Sequence, residues 1–395
     1  MSARLDMAVS TAVASPSDSN LVRYQLASPY TYNKLDQTSQ QIRLLRVHPA
    51  ADAPSVRQLG QKWDLPNCIM QIFELDQAPP YIALSYVWGD RCSGTSGILL
   101  DGHKFEITKS LYMFLDLFRS DAFSQEVAYI WIDQICINQS DLDERSYSVR
   151  FMSKVYSNAD YVVVWLGESE ETEKAAKAFV NGGTPGESSD PLVTILSDQY
   201  FTRLWIIQEL LLARTVIINC RETWGLHLSI VQLHVQKHQD VISSRIRNPS
   251  LFLLWDSVYN RKGRHLAQCL ERYCHNDCQN PRDKVYALLG LVKAEEQVPI
   301  DYSKPVSGVY IDTLQILARR WWLQTPTDFD DVGRPTFISV SLSLAKEMFS
   351  NEALPGLWVL LRPVRGLPGF KWYIKVFQHL SEYEQRDARK SLTQS

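Results

Sequence analysis

The run Tyr81-Ile-Ala-Leu-Ser-Tyr86 is the first of four short apolar segments that decide the fold. The other three cover residues 128–135, 161–166 and 215–219. Each is rich in β-forming residues and bounded by polar ones, which predicts buried strands. Helical patterns separate them, at 109–119, 141–158, 170–180 and 200–213. This alternation predicts an α/β fold with a mainly parallel sheet flanked by helices.

Shifts in composition suggest four regions along the chain. Residues 1–39 mix Ser, Ala, Asp and Pro without an apolar core, so they predict a flexible N-terminal tail. Residues 40–225 hold the strand and helix alternation and form the predicted α/β domain. A mostly helical extension follows over 226–323. The sequence pattern of residues 324–395 does not favour any particular structure.

Composition and charge argue against several classes of protein. With 395 residues, 45% hydrophobic and 22% charged, the chain has the makeup of a globular protein. A net charge of -3 gives no electrostatic reason to bind nucleic acid, and no apolar run approaches the roughly 18 residues of a membrane span. Seven cysteines without an export signal predict reduced thiols and a cytoplasmic chain.

Polar residues follow the predicted strands, where the ligands of open α/β sheets bind. We expect one cleft to be lined by residues from the first strand end, from the second, and from the segment 200–213. They are Ser85, Trp88, Gly89 and Asp90, then Asp133, Asn138 and Gln139, and finally Arg203, Trp205 and Glu209.

Glu209 stands out because it is a carboxylate inside an apolar helical pattern. Trp205 precedes it by four residues, so on one helix its ring could shield the acid from water. A buried carboxylate needs an arginine, hydrogen-bond donors or a raised pKa. Glu209 is therefore either a structural ion pair, with Arg203 or an arginine of another segment, or a functional acid.

Structural roles are also open for the other strand-end residues. Asp133 and Asn138 could cap the helix that starts near residue 141, and Trp88-Gly89 could be a turn with a packed ring. Asp133 nevertheless ends an apolar strand, where a carboxylate costs stability unless it is used.

Established motifs for other chemistries are missing or poorly spaced. There is neither a Gly-x-Gly-x-x-Gly after a strand nor a P-loop. Cys136 lacks a histidine in the strand-end blocks, so a Cys/His nucleophile is weakly supported. The spacing of Cys269, Cys274, His275 and Cys278 suits zinc poorly, and we expect no metal site.

Three long blocks resemble the fungal heterokaryon incompatibility (HET) domain. They are Tyr81-Ile-Ala-Leu-Ser-Tyr-Val-Trp-Gly89, Tyr129-Ile-Trp-Ile-Asp-Gln-Ile-Cys-Ile-Asn-Gln139 and Arg203-Leu-Trp-Ile-Ile-Gln-Glu209. Shorter matches include Val164-Trp-Leu-Gly167, and the block Pro281-Arg-Asp-Lys-Val-Tyr-Ala-Leu-Leu-Gly290 often follows the domain in such proteins.

The resemblance implies non-self recognition and regulated cell death in a filamentous fungus. HET domains are distantly similar to Toll/interleukin-receptor (TIR) domains, which have a flavodoxin-like fold. Many TIR domains cleave NAD through a glutamate in a Trp-x-x-x-Glu helix, a spacing that Trp205 and Glu209 share. By this resemblance Glu209 would hold ribose hydroxyls and stabilise the oxocarbenium-like charge, Asp133 would orient polar atoms, and Trp88 or Trp205 would stack a ring.

NAD would then be a substrate, so no cofactor is implied. The implied partners are further copies of the chain or other incompatibility proteins. Two rival functions stay open: a non-catalytic signalling and assembly module, in which Glu209 is a structural ion pair, and an accessory role in a secondary-metabolite gene cluster. We see no built-in sensor domain, and a truncated C-terminus would explain the short tail.

Overall fold

The computed structural model describes residues 30–50, 56–58, 61–63, 65–89, 94–120, 127–181, 191–238, 246, 263–323 and 337–349. Its strands are β1 Gln41–Val47, β2 Val56–Gln58, β3 Gln61–Trp63, β4 Asn67–Glu74, β5 Ile82–Tyr86, β6 Thr95–Leu100, β7 His103–Thr108, β8 Ile130–Trp131, β9 Tyr161–Trp165, β10 Val216–Cys220 and β11 Thr223–His227. Its helices are α1 Lys109–Ser120, α2 Asp133–Cys136, α3 Leu142–Asn158, α4 Glu170–Val180, α5 Pro191–Leu196, α6 Ile206–Leu211, α7 Leu228–Lys237, α8 Leu266–Tyr273, α9 Asp283–Tyr286, α10 Val306–Leu323 and α11 Phe337–Met348.

Nine of these strands form one mixed sheet in the order β11-β10-β9-β5-β8-β1-β4-β6-β7. Four neighbouring strands at its centre, β8, β5, β9 and β10, are parallel. Counted along the chain, these four stand in the spatial order 2-1-3-4. Of the eight neighbouring pairs in the whole sheet, four are parallel and four antiparallel.

The prediction of a mainly parallel sheet is therefore not confirmed, because outside the centre the pairs are antiparallel except for β4 with β6. Short connections account for part of the difference, because antiparallel strands can be joined by a two-residue turn. Asp101 and Gly102, with φ of 49° and 79°, make the turn between β6 and β7. An Asp-Gly pair is a strong hairpin signal.

The carboxyl end of β5 sends neighbouring side chains to opposite faces of the sheet. Tyr86 stands beside Trp165 of β9, which contacts Phe114 of α1 with ring centroids 5.8 Å apart. Ser85 faces the other way, toward α3 and α6. Helices thus cover both faces of the sheet.

Two expected elements are shorter than their patterns indicated. The apolar run 128–135 is a strand only at Ile130–Trp131, and its second half is the helical turn Asp133–Cys136. The segment 200–213 divides into a 3-10 turn, Gln199–Thr202, and helix α6. Arg203 separates them with an extended backbone that forms an isolated bridge to Asp277.

A buried ion pair ties β1 to the start of α3. Arg43 Nη1 and Nη2 donate to the two carboxylate oxygens of Glu144 at 2.6 and 3.0 Å, and both side chains are almost fully enclosed. The guanidinium also donates to the carbonyl oxygens of Cys136 at 3.0 Å and Asn33 at 2.6 Å. Four of its five N–H groups are used in this way, while the buried Nε–H has no partner among the residues that the structure describes.

Part of the predicted N-terminal tail packs against this region. Tyr30 and Tyr32 both meet the Phe105 ring edge-on, and the Tyr32 hydroxyl donates to the carbonyl oxygen of Ile135 at 2.9 Å. The domain boundaries stay predictions, and the residues of region 324–395 outside 337–349 are not among those described. Among the helices of the described ranges, none is long and apolar enough to cross a membrane.

Candidate functional site

Glu209 is buried beneath the carboxyl end of β5, with 2% of its surface exposed. The Ser85 hydroxyl donates to its Oε2 in a short hydrogen bond. The Tyr200 hydroxyl lies 2.6 Å from Ser85 Oγ, and it donates to that oxygen when Ser85 gives its own proton to ionised Glu209. The Tyr156 hydroxyl of α3 donates to the carbonyl oxygen of Leu84 at 3.3 Å and also helps to stabilise the ionised carboxylate. The carboxylate is therefore enclosed by hydroxyl groups.

Burial raises the pKa of Glu209 to about 7. The charge of Arg203 and the hydrogen bonds of Ser85 and Tyr156 lower this pKa, while the charge of Asp133 raises it further. No ion pair within 4 Å reaches Glu209 from the part of the chain that the structure describes. Arg203 therefore acts on Glu209 at longer range, and the acid changes its protonation near neutral pH.

Asp133 lies at the first turn of α2 and is half-buried. The Trp88 indole N–H lies 3.0 and 2.9 Å from its two carboxylate oxygens, and the backbone N–H of Gln134 donates to Oδ1 at 2.7 Å. Burial raises the pKa of Asp133 to about 6, against the charge of Arg203 and these hydrogen bonds. Asp133 is thus a second carboxyl group that titrates near neutral pH.

The charge of Arg203 acts on both carboxyl groups. Its Nη1 donates to the carbonyl oxygen of Tyr86, the last residue of β5, and its charge lowers the pKa of both Asp133 and Glu209. The charge of Asp133 raises the pKa of Glu209, so an ionised Asp133 favours the protonated form of Glu209.

Sequence comparison identifies the region that holds these residues. The profile of the heterokaryon incompatibility protein family (HET) matches residues 81–209, from the residue before β5 to Glu209 itself. The chain contains a HET domain. It is 28% identical over 375 residues to "Heterokaryon incompatibility protein 6, OR allele" of Neurospora crassa, a match covering 73% of this chain.

The chain spans about half the length of that relative, of which 53% is matched. No solved structure matches the protein.

The remaining predicted site residues of the HET domain take different positions. Gly89 has a left-handed φ of 75° and is exposed, with no atom within 4 Å of the place a Cβ would occupy. The Asn138 side chain accepts from the N–H and hydroxyl of Ser140, and Gln139 Nε2 donates to the carbonyl oxygen of Asp133 at 2.9 Å. Asp90 lies outside the described residues.

Helix α3 has its own cap, because the Asp141 side chain accepts from the backbone N–H groups of Asp143 and Glu144. Asp133 is therefore not needed as the cap of that helix. The Trp205 indole N–H donates to Asp283 at 3.1 Å, which ties the ring to a residue outside the three blocks.

Two members of the Glu209 cluster, Tyr156 and Tyr200, went unrecognised as site residues. Both lie in apolar helical patterns, where a tyrosine is usually core packing, and both are fully buried. Their hydroxyls need partners once buried, and a lone carboxylate needs donors. This shared need for hydrogen-bond partners is the feature of the sequence that could have identified both tyrosines as site residues.

The arrangement can hold and move protons. Among the residues with described positions, no group of three His, Cys, Asp or Glu side chains could hold a metal ion. Two carboxyl groups with raised pKa values, a guanidinium and an indole instead suit the recognition of polar organic groups and the stabilisation of positive charge.

Replacing Trp88 by phenylalanine tests the link between the indole and Asp133. The variant keeps an aromatic ring but loses the N–H that stabilises the ionised carboxylate, so we expect the pKa of Asp133 to rise above about 6. Carboxyl-carbon NMR titration, with the Asp133 signal assigned by Asp133→Asn, measures it. An unchanged or lower pKa would show that the indole does not stabilise the charge.

Proposed function

We propose that this HET domain is an effector of fungal non-self recognition, which causes regulated cell death in the cytoplasm by cleaving NAD. The observation that carries the proposal is that Glu209 and Asp133 both have raised pKa values and both feel the charge of Arg203, whose guanidinium binds the carbonyl oxygen of Tyr86 at the end of β5. Two carboxyl groups with raised pKa values at a sheet edge are typical of a catalytic site.

The order of the central strands supports a flavodoxin-like, and so TIR-like, comparison. In flavodoxin-like sheets of order 2-1-3-4-5 the ligand lies where the first and third strands meet. The corresponding strands here are β5 and β9, which pair from Ile82↔Tyr161 to Tyr86↔Trp165. Ser85 and Trp88 occupy or follow the end of the first, and Gly167 follows the second with a left-handed φ of 85°.

The proposed reaction is hydrolysis of the bond between nicotinamide and ribose. The C1′–N bond breaks, and its electron pair leaves with nicotinamide. Water adds to C1′ and gives up one proton, so the products are nicotinamide, ADP-ribose and a proton. Ionised Glu209 would hold the ribose hydroxyls and stabilise the positive charge at C1′, with Asp133 orienting polar atoms and Trp88 stacking a ring.

Glu209 is closed to substrate in the present arrangement, because Ser85 and Tyr200 cover it. A ribose hydroxyl can replace the Ser85 hydroxyl as donor to the carboxylate, which exchanges one hydrogen bond for another. Self-association of HET domains would supply the energy to move Ser85 and open the site.

Clustered full-length protein incubated with NAD tests this proposal. We expect nicotinamide release, and a fall of at least about 100-fold in Glu209→Gln, because a transition-state charge loses its counter-charge. Glu171→Gln makes the same change at an exposed position of α4 and should leave the rate unchanged. A clustered wild type that kills cells without releasing nicotinamide would refute NAD cleavage.

A non-catalytic assembly module is the second candidate, and the burial of Glu209 and Ser85, 2% and 1% exposed, favours it. Under this function the cluster shapes a surface on which copies or other incompatibility proteins bind. Folded Glu209→Gln protein would then still kill when expressed in the fungus. Scoring growth arrest together with cellular NAD separates the two functions, since only the enzyme depletes NAD.

A further inference from the structure

Residues that follow position 209 in the chain anchor the segment just before α6, the helix that carries Glu209. The backbone N–H of Leu204 donates to the carbonyl oxygen of Asp277, and the N–H of Asp277 donates to Thr202, both at 2.8 Å. Asn276 Nδ2 adds a hydrogen bond to the same Thr202 oxygen at 3.2 Å. Residues just before α6 are therefore anchored by a segment that the HET profile does not cover.

Asp283 binds Trp205, the residue at the N-cap of that helix. Trp205 occupies the N-cap of α6, and its indole N–H lies 3.1 Å from Asp283 Oδ2. The other oxygen of Asp283 accepts from the Tyr302 hydroxyl at 2.6 Å. Arg145 of α3 lies over the Tyr302 ring, 4.7 Å from its centre. The buried Asp283 carboxylate, 7% exposed, thus joins α6 to the chain around Tyr302.

Gly290 packs closely against α6 at a second point. A Cβ at this residue would lie 2.5 Å from Gln208 Oε1 and 2.6 Å from Ser153 Cβ. Only glycine leaves room for α6 and α3 at this distance, because real Cβ contacts are not that short. Gln208 directly precedes Glu209, so the position of Gly290 limits where the carboxylate can lie.

We propose that Asp283 is a positioning residue for Glu209, acting through the Trp205 indole, with Gly290 limiting movement of α6 on the other side. The set of residues that positions Glu209 then extends along the chain to Tyr302, beyond the end of the HET match at residue 209. The inference rests on the proposed function of Glu209, but its geometry concerns only where α6 lies. Without the Asp283 contact, α6 loosens at its first residue and water reaches Glu209.

Trp205→Phe and Asp283→Asn in the full chain test the proposal. Phenylalanine removes only the indole N–H, and asparagine can accept from one of the two donors but not both. The matched control is Glu296→Gln, a carboxylate that is also 7% exposed in the same extension, where it accepts from His265 and the N–H of Leu266 at the start of α8. Every variant keeps Tyr156, Tyr200, Arg203 and Asp133, which face Glu209.

Difference infrared spectroscopy reads the proton on Glu209 directly, through the protonated-carboxyl band that is lost in Glu209→Gln. We expect its midpoint to fall from about 7 by roughly one unit in both variants, because burial is the main cause of the raised pKa. Glu296→Gln should leave the midpoint unchanged. Hydrogen exchange should show faster exchange confined to residues 204–212 in the two variants.

An unchanged Glu209 midpoint in folded Trp205→Phe and Asp283→Asn would overturn the positioning role. An equal shift in Glu296→Gln would overturn it as well, because the effect would then be general loosening. If Asp283→Asn does not fold, Trp205→Phe alone decides. The infrared measurement needs no NAD, so a shifted midpoint with no nicotinamide release from wild type refutes the enzyme and keeps the positioning role.

Discussion

Glu209→Gln is expected to make the protein more stable than wild type at pH 8, by up to about 3 kcal/mol. The pKa of Glu209 is raised from 4.5 to about 7 in the folded state. Folding therefore binds a proton between these values, and stability falls as pH rises from about 4.5 to about 7. Glutamine carries no charge and escapes this loss, so the difference should vanish near pH 4.5.

Urea unfolding at pH 4.5, 6 and 8 measures the difference in the free energy of unfolding. Glu144→Gln is the control with the opposite sign, because Glu144 is paired with Arg43 and its loss leaves a buried guanidinium at every pH. A structural ion pair at Glu209 would make Glu209→Gln destabilising at pH 8. That outcome would contradict the raised pKa and remove the physical basis of the proposed acid.

Arg43→Met is expected to lower the free energy of unfolding by about 3–5 kcal/mol. Methionine fills much of the same space but leaves Glu144 without its counter-charge, although the side chain stays buried. The carbonyl oxygens of Cys136 and Asn33 also lose their donor. Urea unfolding at pH 7 measures the loss, and the melting temperature should fall by roughly 4–8 °C.

The double variant Arg43→Met with Glu144→Met separates the ion pair from the packing around it. Removing both charges together is often neutral, so most of the lost stability should return. About 1 kcal/mol should be missing for each carbonyl oxygen or N–H that stays unpaired. A double variant as unstable as Arg43→Met would show that packing, not the unpaired charge, causes the loss.

The central strands could be predicted from sequence because fully buried strands are apolar along their whole length. Strands β5, β9 and β10 lie within one residue of the predicted runs at both ends. The run 128–135 misled because a strand followed directly by a buried helical turn is apolar throughout. Most of the antiparallel strands were not predicted because half-exposed strands, such as Asn67–Glu74, give weaker patterns.

The site was predictable as a set of strand ends and not as a set of contacts. That Ser85, Asp133 and Glu209 lie near one another follows from topology once the strands are known. That Ser85 binds Glu209 and Trp205 binds Asp283 depends on the exact start of α6 at Ile206, which no periodicity indicates. Nothing in the local sequence indicates that Asp277 and Asp283 bind the segment before α6.

The anchoring of Thr202 by Asn276, 74 residues later in the chain, has a consequence for synthesis. At translation speeds of about 5–20 residues per second, the ribosome needs roughly 4–15 s to extend the chain from one to the other. During that interval the nascent protein has made Glu209 but not the segment that fixes its helix. We expect a newborn chain to lack a formed site until its later half has emerged.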